Sequence, residues 1–147
     1  MHPEQERSLA APIDDGWCFV CGKENPHGLC LEWTVGADGA ARALFRPERR
    51  HQGWRGILHG GIVAALIDEA MAQCARVTGK PAMTASLEIR YRSAVPIGAE
   101  LVAEARVVGE RGRLLQLEGS VRDGRNETCY ATARGTCMRV RPVDQKM

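Results

Sequence analysis

The 147-residue sequence lacks a long apolar run and has few aromatic residues. No stretch approaches the roughly 18 apolar residues that a membrane-spanning helix needs, so we expect no membrane partner. Residues 1–15 carry many polar and charged side chains without the apolar run of a secretory signal, and we expect no such signal there. These absences predict a cytoplasmic protein whose six cysteines stay reduced.

An excess of positive charge is also missing, because the formal net charge is only +2. A nucleic-acid-binding protein usually has a basic domain with clustered lysines and arginines. The charge balance therefore predicts no nucleic-acid partner. Local arginine clusters remain candidates for binding a small anionic ligand.

Internal repeats, linkers and low-complexity segments are absent as well. The length suits one domain with a substantial core. We predict a flexible N-terminal tail at residues 1–16, a single domain at 17–141 and a C-terminal tail at 142–147.

One segment, residues 57–78, has apolar side chains at helical spacing. Gly60-Gly61 stands near its start, and Gly79-Lys80-Pro81 follows its end, as is typical where a helix stops. Because most of its non-polar positions are apolar or alanine, we predict one central helix. The periodic positions are Ile62, Val63, Leu66, Ile67, Ala70, Met71 and Cys74.

The rest of the sequence predicts short strands separated by turn residues. Residues 36–39 predict a hairpin, and the alternation after the helix is typical of antiparallel strands with one buried face. The order β-β-α-β-β-β-β predicts an α+β fold, in which a curved antiparallel sheet of about six strands wraps around one long helix. The predicted strands are 29–35, 40–45, 84–91, 100–110, 113–122 and 128–139.

Two adjacent glycines at a helix start are costly, because glycine is a poor helix former. One explanation is close approach of a ligand to the backbone, since the first N–H groups of a helix are free and its dipole favours negative charge. A carbonyl oxygen at the Gly60 N–H would then be polarised. The other explanation is tight packing where the helix meets the sheet. The residues alone do not decide between them.

Two neighbouring carboxylates lie on the predicted helix. Asp68 shares a face with alanines, where a ligand or a second subunit can come close, so it is the better candidate for a general base or nucleophile. A structural carboxylate bonded to a neighbouring strand is the alternative. Glu69 instead faces Gln73 and Arg76, which could satisfy it on a polar flank.

The Cys18-x2-Cys21 pair has the spacing of a zinc-binding motif, and His27 and Cys30 are near in sequence. Structural zinc usually takes four ligands, often as two close pairs. No second Cys-x2-Cys pair exists, so we expect reduced structural cysteines and no metal.

The segment Trp54-x-Gly-Ile-x-His-Gly-Gly through Asp68-Glu69 resembles the motif of hotdog-fold thioesterases of the PaaI-like and THEM-like group. Two other segments extend the resemblance to about residues 18–139. They are Cys18-Phe19-Val20-Cys21-Gly22 with Asn25-Pro26-x-Gly28-Leu29, and Thr84-Ala85-Ser86-Leu87-Glu88-Ile89-Arg90-Tyr91 with Pro96-x-Gly98. The resemblance implies the hotdog fold.

The resemblance also implies roles for individual residues. The motif histidine contributes to the thioester pocket, which implies His59, and the first glycine donates its N–H to the oxyanion, which implies Gly60. An aspartate nine residues after the histidine is the base or nucleophile, matching Asp68. A serine or threonine on the next strand, near the partner subunit's aspartate, positions the water, and Thr84 has that spacing. Related branches use a glutamate on this helix, so Glu69 is a second candidate.

The sequence departs from the pattern at one position. Many PaaI-like members carry an asparagine six residues before the histidine, where this chain has Gly53. Carbonyl polarisation is then left to the Gly60 backbone, with His59 or Gln52 compensating.

Arginines near strand ends or turns are candidates for holding the phosphates of coenzyme A, although a charge near a turn is often only solvated. Trp17 and Trp54 are more often plain packing beside loops, so we leave them out of the site. The candidate substrate-binding residues are Gly61, Arg90, Arg92 and Arg113, with Arg111 close by.

The resemblance implies an acyl-CoA thioesterase acting on a small or medium acyl group, aliphatic or aromatic. It needs no cofactor, since coenzyme A is part of the substrate. The resemblance further implies a homodimer with sheets paired edge to edge, or a tetramer made of two such dimers. The alternatives are a non-catalytic acyl-CoA-binding module and a hotdog hydratase or dehydratase.

Overall fold

A computed structural model describes residues 12–79 and 81–140 of the chain. It contains one long helix, α1, one short 3-10 turn and six strands. The helix spans Gly60–Arg76, and the turn spans Arg49–His51. The strands are β1 (Thr34–Val35), β2 (Ala41–Phe45), β3 (Ala82–Tyr91), β4 (Leu101–Arg111), β5 (Leu114–Asp123) and β6 (Cys129–Arg139).

The strands form a single antiparallel sheet in the order β1-β2-β4-β5-β6-β3. Helix α1 packs against strands β2 to β6 on one face of this sheet. The predicted α+β architecture, with one long helix and six antiparallel strands, is therefore confirmed. Strand β3 lies at one edge of the sheet, and the two-residue β1 lies at the other.

The buried face of α1 is the one that the periodicity predicts. Val63, Leu66, Ile67, Ala70, Met71 and Cys74 are all buried, together with Ala75, and Ile62 is half-buried. Across from the helix, the alternating residues of β4 and β5 complete the core. Leu101, Ala103, Leu115, Leu117 and Val121 are all 1 % exposed or less. Helix and sheet therefore bury a shared apolar layer.

The helix is shorter than predicted at both ends. Residues 57 and 58 are extended instead of helical, because Leu58 N–H donates to Val95 O and Ile57 bridges to Pro96. At the other end, Gly79 N–H donates to Arg76 O and its φ of +82° lies in the left-handed region. Glycine adopts this conformation without strain, so the predicted glycine stop is confirmed.

The first strand was predicted wrongly at 29–35, since only Thr34–Val35 pairs with β2. The backbone of residues 29–31 pairs elsewhere: Leu29 N–H donates to Phe19 O, and Leu31 N–H donates to Val20 O. Cys30 between them has a φ of +51°, which an extended strand does not allow. The other five strands lie within two residues of the predicted limits.

Two glycines of the sheet let α1 come close. A Cβ on Gly135 in β6 would lie 2.7 Å from Met71 Sδ and 3.1 Å from the Ser86 carbonyl oxygen. A Cβ on Gly119 in β5 would lie 3.1 Å from the Cγ2 of Ile67. Such separations are below ordinary van der Waals contact, so the helix seats on glycine positions.

A β-bulge interrupts β3 near its start. The register pairs Thr84 with Cys137 but Ser86 with Thr136, which leaves Ala85 as the extra residue. Residues two apart in a regular strand share a face. Here the bulge turns Thr84 toward α1, while the Ser86 hydroxyl bonds Thr136 Oγ1 at 2.7 Å on the opposite face.

The predicted tails lie largely outside the described residues, which include only 12–16 of the first and none of the second. Asp14, in that described part, forms an ion pair of 3.6 Å with Arg76 at the end of α1. Across residues 12–79 and 81–140, no helix combines the length and the apolar character needed to cross a membrane.

The seating of α1 on glycine predicts the effect of Gly135→Ala. The added methyl must displace Met71 and meets the fixed carbonyl of Ser86, so we expect the free energy of unfolding to fall by about 1–3 kcal/mol. Urea denaturation measures it. Gly124→Ala is the control, because its Cβ would lie at an ordinary 3.4 Å from Glu100 O. Equal stability of both variants would contradict the close seating.

Candidate active site

The His59 side chain caps the N-terminus of α1. Its Nδ1 accepts the Gly61 N–H at 2.8 Å, and its carbonyl accepts Ile62 N–H at 2.9 Å. Since Nδ1 is an acceptor, the neutral ring carries its proton on Nε2. Among the described residues, the Gly60 N–H has no hydrogen-bond partner. The first turn of the helix therefore offers one free donor, at Gly60.

Different structural constraints apply at the two glycines of the motif, Gly60 and Gly61. A Cβ on Gly61 would lie 2.9 Å from His59 Nδ1, so the imidazole cap requires glycine there. A Cβ on Gly60 would make only ordinary contacts, 3.4 Å or more, with the Tyr91 ring. Packing thus accounts for Gly61. Space for a side chain exists at Gly60, whose N–H is the free one.

The loop before the helix is fixed by backbone bonds. His59 N–H donates to His51 O at 3.0 Å, and the buried His51 ring receives the Glu48 N–H on Nδ1 at 2.9 Å. Burial lowers the pKa of His51, and the neighbouring Arg50 lowers it further. The neutral ring can therefore keep accepting this bond, which holds the 3-10 turn whose His51 carbonyl receives the His59 N–H.

Gly53, where the resemblance predicts an asparagine, lies directly against His59. A Cβ at this position would sit 3.3 Å from both Cα and Cδ2 of His59. The neighbouring Gln52 is engaged in the loop, because its Oε1 accepts the Gly56 N–H at 3.2 Å. The Gln52 amide nitrogen and the Nε2 of His59 stay the predicted substitutes for the missing asparagine donor.

A cavity of about 490 Å³ opens beside Gly60. Its lining is mainly apolar and aromatic. It includes Trp54, Ile57, Leu58, Val63, Tyr91, Val95 and Tyr130, with Arg92 and Ser93. Trp54, which the sequence predicts to pack beside a loop outside the site, is 84 % exposed and lies on this lining. An apolar pocket with a backbone donor at its edge suits an acyl group next to a polarised carbonyl.

Two tyrosines organise this end of the site, and no pattern in the sequence predicts a role for either. The Tyr91 hydroxyl donates to Gly60 O at 2.8 Å, joining the end of β3 to the first turn of α1. Tyr130 donates to Asp123 Oδ2 at 3.0 Å. Burial raises the pKa of Tyr130, and the Asp123 carboxylate raises it further. An aromatic residue at a strand end is only a weak sequence signal of a functional role. The contacts of these tyrosines become visible only in the folded chain.

Asp68 lies on the same helix but contacts the other end of β3. The Thr84 hydroxyl donates to Asp68 Oδ1 at 2.6 Å, and the carboxylate is half-buried. The resemblance placed Thr84 near a partner's aspartate, whereas this contact is within one chain. Behind them lies Cys137, whose thiol pKa is raised by burial. Thr84 orients one carboxylate oxygen, and within the described part of the chain Oδ2 has no hydrogen-bond partner.

Glu69, the second candidate for the base, points to a different part of the molecule. Its Oε1 accepts from Gln73 Nε2 at 2.9 Å, as the polar flank predicts. Its Oε2 receives the Cys18 thiol at 3.7 Å. The predicted Arg76 contact is replaced by the ion pair of Arg76 with Asp14. The structure thus groups Glu69 with the Cys18-x2-Cys21 pair and keeps it apart from Thr84.

The predicted substrate-binding arginines occupy three locations. Arg92 borders the cavity beside Gly60. Arg90 lines a separate polar cavity of about 580 Å³, which Arg92 also reaches, together with Glu88, Glu104, Glu118 and Arg134. Arg113 lies in the β4–β5 turn, where its carbonyl accepts Arg139 N–H. That turn is at the Thr84 end of the sheet, because β5 pairs Leu114 with Met138 beside it.

The candidate residues therefore form two groups in one chain. His59, Gly60 and Gly61 lie by the end of β3 at Tyr91, and Asp68 lies by its start at Thr84. Gly60 and Asp68 are eight residues apart on a straight helix, which separates them by about 12 Å.

Comparisons with known proteins identify the family. The family model described as "Thioesterase superfamily" matches residues 55–130, just over half of the chain. The acyl-coenzyme A thioesterase THEM4 of Bos taurus is 36% identical over 142 residues, which cover 95% of this chain and 56% of that protein. The chain thus spans about half the length of the curated relative.

Solved structures give the same family and fold. A thioesterase superfamily protein shares 25% identity at a TM-score of 0.78, covering 92% of this chain and 70% of the other. The PaaI protein of E. coli shares 19% identity at a TM-score of 0.71, covering 77% and 81%. The hotdog fold is confirmed, and the chain belongs to the thioesterase superfamily.

Proposed function

We propose that this chain is an acyl-CoA thioesterase and that each active site is shared between two copies. The observation that carries the proposal is the free Gly60 N–H at the edge of an apolar cavity, with a Thr84-bound carboxylate, Asp68, on the same helix. The name of the bovine relative, an acyl-coenzyme A thioesterase, supports the same reaction.

Gly60 supplies the electrostatic part of the reaction. When water adds to a thioester carbonyl, negative charge develops on its oxygen. The Gly60 N–H points away from the helix and is aligned with its dipole, so it stabilises that charge more than it stabilises the substrate. His59 holds Gly61 and thereby fixes the first turn. Its Nε2 is a second donor near the same oxygen.

The cavity beside Gly60 receives the acyl group. Its aromatic and aliphatic lining favours an apolar chain or ring, and its volume of about 490 Å³ is that of a small-molecule pocket. Arg92 on its border supplies positive charge for the phosphates of coenzyme A. Arg90 lines the separate polar cavity, and Arg113 lies at the Thr84 end of the sheet, which the partner chain would bring near this site. We propose small or medium acyl groups as substrates.

A single chain cannot bring both chemical groups to one carbonyl. Reacting atoms must come within about 3–3.5 Å of each other, whereas Gly60 and Asp68 are about 12 Å apart along α1. A rigid helix does not close this gap. The donor and the carboxylate of one site must therefore come from different chains.

The exposed edge strand of the sheet, β3, offers a surface along which two chains can pair. Strand β3 is ten residues long, none of its residues is buried, and it lies at the edge of the sheet. Long exposed edges usually pair with another strand or are covered. Leu87 and Ile89, on either side of Glu88, both pack against the core. Antiparallel pairing of two β3 strands centred on Glu88 keeps these side chains on the helix face of both chains, and with the bulge at Ala85 it sets the Thr84 end of one chain opposite Tyr91 of the other.

This pairing brings the two groups together. Thr84 holds Asp68, and Tyr91 holds Gly60, so the carboxylate of one chain meets the oxyanion donor of its partner. Asp68 then accepts a proton from a water, the water oxygen bonds to the thioester carbon, and the carbon–sulfur bond breaks. Coenzyme A leaves as the thiolate, and the carboxylic acid remains. A two-fold dimer contains two such sites.

Asp68→Asn tests the base. The amide keeps the bond to Thr84 but cannot accept a proton from water, so we expect kcat for acyl-CoA hydrolysis to fall by about 10²–10⁴-fold with little change in KM. Release of free thiol from a panel of acyl-CoAs measures it. Asp38→Asn is the control, because that exposed carboxylate bonds, within residues 12–79 and 81–140, to Arg42 and the Ala40 backbone and to neither Gly60 nor Thr84.

Near-normal kcat in the Asp68 variant would refute its role, and loss of activity in Glu69→Gln alone would transfer the role to Glu69. A wild-type protein that binds the panel without releasing thiol, or that adds water to an enoyl-CoA instead, would refute hydrolysis itself.

A mixed dimer tests the shared site. Gly60→Pro removes the N–H at the first helical position, which tolerates proline, and Asp68→Asn removes the base, so each homodimer should be inactive. Differently tagged chains allow the mixed dimer to be isolated. One of its two sites carries both lesions and the other carries neither, so we expect about half of the wild-type activity to return. An inactive mixed dimer would place the site within one chain.

The imidazole cap predicts the behaviour of Gly61→Ala. The new methyl would lie 2.9 Å from His59 Nδ1 and displace the ring, which costs about 0.5–2 kcal/mol of capping, while alanine regains about 1 kcal/mol of helix propensity. We therefore expect stability to change little and kcat/KM to fall at least about tenfold. Thermal melting and thiol release measure the two effects. Unchanged kcat/KM would show that the cap does not position the site.

A further inference from the structure

A cluster of two thiols and one carboxylate lies outside the thioester site. The sulfurs of Cys18 and Cys21 and a carboxylate oxygen of Glu69 all lie within 4.8 Å of one another, and all three residues are half-buried. The two cysteines come from the segment before β1, and Glu69 comes from the middle of α1. We propose that these three residues bind one zinc ion, with the fourth position taken by water.

The distances suit a tetrahedral ion. With Zn–S near 2.3 Å and Zn–O near 2.1 Å, a tetrahedral site has a sulfur–oxygen edge of about 3.6 Å. The Cys18 sulfur lies 3.7 Å from Glu69 Oε2. Two cysteines separated by two residues have the spacing of many zinc ligands. The three atoms therefore need only small rotations to surround an ion.

The cysteine turn is held in a tight conformation. Gly22 N–H donates to Cys18 O at 2.9 Å. A Cβ on Gly22 would lie 2.5 Å from Cys18 N, from Cys18 O and from Gly16 O, so only glycine fits. The fold thus closes the backbone around the pair and leaves both thiols facing α1.

Gln73 orients the Glu69 carboxylate toward the proposed zinc ion. Its amide nitrogen donates to Glu69 Oε1 at 2.9 Å and lies 3.7 Å from the Cys21 sulfur. The bond to Oε1 fixes the carboxylate and leaves Oε2 facing Cys18. Outer partners of this kind orient metal ligands in known sites.

The charges of the cluster also favour a cation. The two sulfurs and the carboxylate oxygen lie within 4.8 Å of one another in a half-buried place, so their charged forms would repel one another. A divalent ion removes that repulsion. It displaces the two thiol protons into solvent and forms two zinc–thiolate bonds and one zinc–carboxylate bond.

The sequence contains no second Cys-x2-Cys pair, and for that reason it predicts no zinc site. The fold supplies a third ligand from α1, fifty-one positions after Cys18, which spacing in the sequence does not reveal. A zinc ion here would tie the segment before β1 to the helix that carries Asp68, at the residue next to it.

Metal analysis tests the proposal on the full chain, purified without chelators or a histidine tag. We expect one zinc per chain. Cobalt(II) added to the reduced apoprotein should give the near-ultraviolet absorption of cobalt–thiolate bonds, and zinc should displace it. Zinc should also raise the melting temperature of the apoprotein, because it binds only the folded state.

Matched variants locate the site. Cys18→Ser and Cys21→Ser should each abolish the cobalt–thiolate absorption, and Glu69→Gln should weaken cobalt binding at least about tenfold. Cys30→Ser, in the same segment but outside the cluster, should bind like the wild type. Reduced wild-type protein that takes up neither metal, a Cys18–Cys21 disulfide in the isolated protein, or equal loss in Cys30→Ser would overturn the proposal.

Discussion

The close contact between α1 and the sheet is the constraint on which the rest of the structure depends. Gly119 and Gly135 leave no Cβ beneath the helix, so Ile67 and Met71 approach the strands directly. At that separation the Asp68 side chain reaches the Thr84 hydroxyl, and the Tyr91 hydroxyl reaches the first turn. A helix raised by even one methyl group would lengthen both bonds together, because a packed core transmits such shifts.

The same helix separates the two groups that the proposed reaction needs at one carbonyl. It presents a free N–H at Gly60 and a carboxylate at Asp68, on opposite ends of one edge strand. In the proposed dimer the two-fold axis places Gly60 of each chain beside Asp68 of the other. Two identical sites result, although no single chain can bring the two groups together. Dimer formation and catalysis would then depend on the same strand, β3, which explains the exposure of this edge strand.

The sequence predicted most of the fold, because periodicity and turn residues are local signals. The helix, its glycine stop and five of the six strands follow from them. The first strand did not, since residues 29–31 pair with Phe19 and Val20 through contacts that no local pattern encodes. Within the candidate site, motif spacing predicted Gly60 and Asp68. The contact of Tyr91 with Gly60 and the bulge at Ala85 both depend on the register between distant strands, so no local pattern predicts them.

The neighbours Asp68 and Glu69 show why spacing alone could not assign the second carboxylate. Consecutive helical residues point about 100° apart, so one reaches β3 and the other reaches the cysteine turn. Rotating α1 about its axis would therefore disturb both contacts at once. Whatever holds Glu69 in place also holds the direction of Asp68. The segment before β1, which supplies no group to the proposed reaction, thus contacts α1 at the residue next to the proposed base.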